Sequence, residues 1–147
     1  MKSQSGVALL EVLIALVVSA VGLLGMALLQ VNAMQHTHQG MMHSNSTYLL
    51  SDMADRIRAN SDVATTGDYD LAYGAAVVAA KNCENVVCTE AEMADYDLQQ
   101  WEQYLQRVLP GGDGFVSVSG GLATIRIRYD DDRDESDTAQ YELKATL

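Results

Sequence analysis

Hydrophobic and polar positions follow two rhythms along this chain, one early and one late. Residues 7–29 read VALLEVLIALVVSAVGLLGMALL, an apolar run with no proline and, apart from Glu11, no charge. About 20 such residues let a helix cross ~30 Å of hydrocarbon, so the run predicts a membrane-spanning helix. The helix is not expected to stop there. Residues 30–60 contain no proline, and Leu49, Leu50, Met53, Ala54 and Ile57 recur with helical period. Met34, His38, Met41 and Asn45 fall on one side. One helix from about Val7 to Asn60 would be ~80 Å long at about 1.5 Å per residue, with Gly40 a soft point.

Residues 62–73 are polar and aperiodic and read as a connecting loop. Residues 75–80 are small and apolar, and the pattern leaves helix and strand both open. Thr89 followed by Glu92 is a capping box, which predicts a second helix from there. Met93, Tyr96/Asp97, Leu98, Trp101, Leu105 and Val108 form its apolar stripe, and Pro110-Gly111-Gly112 ends it. The period then changes to two. Phe115-Val116-Ser117-Val118-Ser119 reads as a strand and Gly120-Gly121 as a hairpin turn. Ala123, Ile125, Ile127 and Tyr129 alternate with polar neighbours, and so do Ala139, Tyr141, Leu143 and Ala145. The predicted class is α+β: a long N-terminal helix packed on a small antiparallel sheet, with a second short helix.

Charge sharpens the division. Of 147 residues, 20 are acidic and 9 basic, a net charge of −11. Residues 12–51 hold no Asp, Glu, Lys or Arg, and everything from Asp52 onward holds 19 acids and 8 bases. Such an acidic chain lacks the clustered basic face that phosphate contacts need, so no nucleic-acid partner is expected. At 48% hydrophobic residues, with one proline and a mean hydropathy of −0.01, the chain is neither disordered, collagen-like nor a multi-span transporter.

The apolar run admits three readings: a cleaved secretory signal, a plain anchor, or something that also accounts for Glu11. A secretory signal has a shorter apolar core, although Val31-Asn32-Ala33 loosely fits a cleavage site. Lys2 is the one base before the run and favours a cytoplasmic N-terminus. A carboxylate at the centre of an apolar span costs roughly 2.5–3.5 kcal/mol. Either Glu11 sits shallow, near the headgroups, or its partner comes from another chain. A cut after Gly6 would give Val7 a new α-amino group and make Glu11 the fifth residue. Glu11 could then pair with the amine of a neighbouring subunit and set the axial register of packed helices.

Lys2-Ser3-Gln4-Ser5-Gly6, then Val7-Ala8-Leu9-Leu10-Glu11 and the apolar run, resembles the signal of type IV prepilins and pseudopilins. The resemblance implies that a prepilin peptidase cuts between Gly6 and Val7, that Val7 is N-methylated, and that Glu11 acts in assembly. Phe or Met is commoner than Val at the new terminus in that family. Leu9-Leu10-Glu11-Val12-Leu13-Ile14-Ala15-Leu16, Gly22-Leu23-Leu24-Gly25-Met26-Ala27, Cys83-x4-Cys88, Ala94-x2-Asp97-Leu98-x2-Trp101 and Leu109-Pro110-Gly111-Gly112 resemble PilV-type minor pilins. The implied organisation is a cytoplasmic leader (residues 1–6), a transmembrane and assembly helix (7–29) and a periplasmic headpiece (30–147). The implied role is assembly or initiation of a type IV pilus, first in the inner membrane, then at the cell surface. The implied partners are other major and minor pilins, the prepilin peptidase, the inner-membrane assembly machinery and, before assembly, lipid. A minor pseudopilin of a type II secretion system is the nearest rival. A periplasmic binding module, anchored or secreted, is the rival from another class.

Other constellations are weaker. His36, His38 and His43 lack the i,i+4 spacing with which two imidazoles reach one ion, so no metal is expected there. The acidic stretch 130–137 has oxygens for Ca²⁺ but no ordered alternation, and reads as a solvated hairpin tip. In an exported domain Cys83 and Cys88 are expected to be oxidised to one disulfide, with two buried thiols as the alternative. No nucleophile elbow, phosphate loop, zinc-protease motif or dinucleotide fingerprint occurs. Neither an enzyme nor a cofactor is expected.

Overall fold

A single helix, α1, runs Ser5–Ala59 in a computed structural model that describes residues 5–130 and 138–147. It is helical through Gly40 and ends one residue before the predicted Asn60. Arg56 and Arg58 lie in its last turn, where positive charge complements the exposed carbonyls. The short α2 (Ser61–Ala64) follows, then α3 (Glu90–Val108) and three strands: β1 (Asp113–Ser119), β2 (Leu122–Asp130) and β3 (Thr138–Thr146). The chain divides into two compact units, Met1–Gly40 and Met41–Leu147.

In the second unit the strands form an antiparallel sheet in the order β1-β2-β3. Val116 lies opposite Ile125, and Ile125 opposite Leu143, so the apolar positions share one face. The core gathers that face, the stripe of α1 and the stripe of α3. Leu49, Leu50, Met53, Ala54 and Ile57 are buried as the period predicts. The stripe extends backward through Ser46 and Met42, whereas Met34, His38 and Met41 are exposed. Leu98, Trp101 and Leu105 are buried in α3, and Val108 is half-buried, giving way to Leu109. The Trp101 indole N–H donates to the Leu49 carbonyl at 2.9 Å and ties α3 to α1.

The capping box is formed: the Glu92 N–H donates to the Thr89 hydroxyl and the Thr89 N–H to the Glu92 carboxylate. Leu109 is extended, as a residue before proline prefers, and α3 stops there. Gly120 and Gly121 both take positive φ, the conformation their two-residue turn requires.

Residues 62–73 do more than connect. Tyr69 and Leu71 are buried. Leu71 exchanges two backbone hydrogen bonds with Val116, at 2.8 and 2.9 Å, and so caps the outer edge of β1. The Asp70 carboxylate accepts the Val118 N–H at 2.9 Å. Residues 75–80 form neither helix nor strand.

Candidate functional site: the apolar helix and its acidic residue

Gly6 and Val7 lie within the first turns of α1, and Glu11 lies on the same helix. Residues 9–41 are exposed throughout. Leu9 is 73% and Leu24 67% accessible, and Leu10, Leu13, Leu16, Val18 and Leu23 are comparable. A water-soluble surface does not carry apolar area on this scale, so lipid or other protein must cover it. The helix is long and apolar enough to cross a membrane. Glu11 is exposed, and no cation lies within ion-pair distance of it among the described residues.

The second unit carries its own polar centre, on the side where α1, α3 and the 62–73 segment meet. Arg56 donates to Asp52 and to Asp97, each at 2.9 Å. The Tyr69 hydroxyl donates to the other Asp97 oxygen at 2.8 Å, and Asn60 donates to the Tyr69 oxygen at 3.2 Å. Burial works against the Arg56 charge, but Asp52 and Asp97 outweigh it and raise its pKa. Burial, with Asp97 pushing the same way, raises the Tyr69 pKa well above its ordinary value. The arrangement binds three segments together. One sign of it is readable in the chain: Asp97 falls inside the apolar stripe of α3, where a buried carboxylate needs a partner.

Cys83 and Cys88 are joined as a disulfide. The bridge closes a loop just ahead of α3 and leaves Val87 95% exposed at its tip. Lys81 and the Thr89 backbone hold the Glu92 carboxyl below its usual range. On the solvent face of the sheet Arg126 lies over Phe115 and pairs with Glu142, while Arg128 lies over Tyr73 and pairs with Asp113. His36 and His38 are exposed, and the His43 ring packs 5.1 Å from Tyr141. The acidic stretch read as a hairpin tip lies outside the described residues, apart from Asp130 at the end of β2.

Two family models match this chain. The first 27 residues match the Prokaryotic N-terminal methylation motif. Residues 28–99 match a family described as Type IV pilin Tt1218. The chain belongs to the type IV pilins. No curated protein and no solved structure matches it. The pilin match runs through the second half of α1, the Arg56–Asp97 centre, the disulfide and the first half of α3. The methylation motif covers Gly6, Val7, Glu11 and most of the apolar run. For a pilin, the exposed helix and the disulfide-bridged α+β unit are parts of one structural subunit. Its family places it among proteins that are processed by a prepilin peptidase and pack against other pilins.

Proposed function

We propose that this pilin is a PilV-type minor subunit of a type IV pilus, acting in assembly or its initiation. Prepilin peptidase hydrolyses the Gly6–Val7 amide, leaving a carboxylate on Gly6 and an α-amino group on Val7, which is then N-methylated. Residues 1–6 remain in the cytoplasm as the leader, residues 7–29 hold the subunit in the inner membrane, and residues 30–147 face the periplasm. Glu11 then pairs with the amino terminus of a neighbouring pilin, and the helix exchanges lipid for protein contact as the subunit is drawn into the filament.

The observation that carries this reading is Glu11 itself. It is a lone carboxylate on an exposed apolar helix, five residues beyond a Gly within a methylation motif. An isolated charge there is costly, and a mate on another chain offsets that cost while fixing how two helices align. The test is mass spectrometry of the native chain from cells with active peptidase, followed by probing sheared pili for it. A mature chain beginning with methylated Val7, present in the pilus fraction at low abundance, is expected. Recovery of the chain with Met1 retained would overturn the reading. Recovery with the cut made but only in secretion filaments would move it to a pseudopilin.

A further inference from the structure

Within the second unit, α1 and α3 leave a cleft of about 200 Å³ between them. Tyr48, Asp52 and Arg56 line it from α1, each one turn beyond the last, and Gln100, Trp101 and Tyr104 line it from α3. Of the nine Phe, Trp and Tyr side chains in the chain, seven are buried or half-buried. The two left exposed, Tyr48 at 62% and Tyr104 at 43%, both open on this cleft, and Trp101 is buried beneath it. A single exposed aromatic is ordinary. Two that converge on one concave site, with a third below, are the makings of a binding surface.

The polar groups around the tyrosines have unspent hydrogen-bonding capacity of both kinds. Arg56 gives Nε to Asp52 and Nη1 to Asp97, which leaves three of its five N–H groups without a partner among the described residues. Asp52 accepts through Oδ2, so Oδ1 is spare. The Gln100 amide donates to the Tyr96 hydroxyl at 2.8 Å, and its carbonyl accepts from no described residue. This mixture selects among occupants. An ammonium group meets the Arg56 charge. A carboxylate or phosphate meets Asp52, Asp97 and a chain of net charge −11. A purely apolar group covers the polar atoms without satisfying them. A neutral sugar ring does the reverse. Each hydroxyl both donates and accepts, and the faintly positive C–H bonds pack on the negative face of an aromatic ring.

We propose that this cleft binds one neutral hexopyranose ring of a glycan, stacked on Tyr48 and Tyr104 with its hydroxyls on Arg56, Asp52 and Gln100. The cleft is smaller than the ~300–1,000 Å³ that encloses a drug-sized ligand, so it holds one ring and leaves the rest of the glycan in solvent. An affinity of about 1–10 mM is expected of so open a site. The site is separate from Glu11 and the apolar run, and its test reads binding by the chain itself, so it stands or falls independently of incorporation into pili.

Trp101, the one tryptophan, reports occupancy of the cleft above it. The full chain, in a polyoxyethylene detergent so that no sugar headgroup competes, is titrated with methyl β-glucoside, methyl β-galactoside, methyl α-mannoside and N-acetylglucosamine. Binding is followed by Trp101 fluorescence and by saturation-transfer NMR of the sugar. Saturable binding of at least one sugar is expected, weakened about tenfold or more in Tyr48→Ala and in Tyr104→Ala. Both side chains are exposed, so an unchanged urea midpoint is expected to show that these variants fold, and either one suffices if the other does not accumulate. Saturable binding of none of the four sugars overturns the proposal. So does binding that the folded alanine variants retain in full, or tighter binding of ethylammonium or acetate than of any sugar. Preference for N-acetylglucosamine assigns the ring to an N-acetylated polymer and preference for a plain hexoside to an unacetylated one, and either result upholds the site.

Discussion

Gly114 has no room for a side chain. A Cβ built there would lie 2.2 Å from the Trp101 ring. The ring is buried and held by its bond to Leu49, so it has nowhere to retreat. Gly114→Ala is expected to destabilise the fold by about 1–3 kcal/mol or more. Trp101 is the one tryptophan, so its fluorescence follows unfolding of the second unit directly, in detergent-solubilised full chain. Tyr69 gives a prediction of a different kind. Its pKa is raised by burial, so the folded state favours the neutral hydroxyl. Its contribution is fully present below about pH 10, the ordinary tyrosine value, and is lost as pH rises above that. Tyr69→Phe cannot ionise. The stability gap between the native chain and this variant is therefore expected to narrow in urea titrations carried from pH 9 to pH 11. An unchanged gap would contradict the raised pKa.

At the scale of elements, the start of α3 is held by three devices at once: the capping box, the Lys81–Glu92 pair at 2.6 Å, and the disulfide whose second cysteine precedes the cap. Thr89→Ala is expected to cost about 1 kcal/mol, as loss of a cap usually does. Reduction of the disulfide removes a short-loop constraint from the unfolded chain and is expected to cost on the order of 2 kcal/mol. The exposed Lys81–Glu92 pair contributes little of its own. Both losses should appear as lower urea midpoints in the Trp101 signal, with an unchanged slope for Thr89→Ala. A large additional effect on combining them would show that the cap depends on the bridge, because the two sites are adjacent. The sheet is better insulated. The Leu71–Val116 bonds cover one edge, and the solvent face is closed by the Arg126–Glu142 and Arg128–Asp113 pairs.

For the whole molecule the decisive feature is segregation of charge. The acidic second unit discourages association in the wrong places, while the uncharged stretch 12–41 of α1 is free to bury. Glu11 is the exception, and its removal separates two roles. Glu11→Ala removes a charge near one end of the apolar run, where the insertion cost is below the roughly 2.5–3.5 kcal/mol of the helix centre, so membrane levels are expected to hold or rise. Incorporation into pili is expected to fall by about tenfold or more if Glu11 supplies register between helices. Fractionation of membranes and sheared pili measures both, and unchanged incorporation would remove the pairing.

Apart from α2, which falls where a loop was expected, the elements of this protein are local events, and the sequence alone determined them. The apolar run and the 49–57 stripe specify α1, Thr89 and Glu92 start α3, Pro110 ends it, and the two-residue alternation with Gly120-Gly121 builds the hairpin. The methylation motif that holds Gly6, Val7 and Glu11 was legible too, because such a motif is linear and needs no folded neighbour; the cut after Gly6 and the pairing of Glu11 are our proposals. What the sequence left undetermined depends on residues far apart in the chain. Tyr69 and Leu71 sit in a polar, aperiodic stretch, and only the approach of Val116 and Asp97 explains why they are buried. Asp97 is a carboxylate in the apolar stripe of α3, and it is buried there because α1 brings Arg56 to it, 41 residues away. Local propensity and periodicity act over a few residues, whereas desolvation and hydrogen-bond satisfaction are settled only when distant segments meet. Tertiary structure alone decided which polar groups went inside.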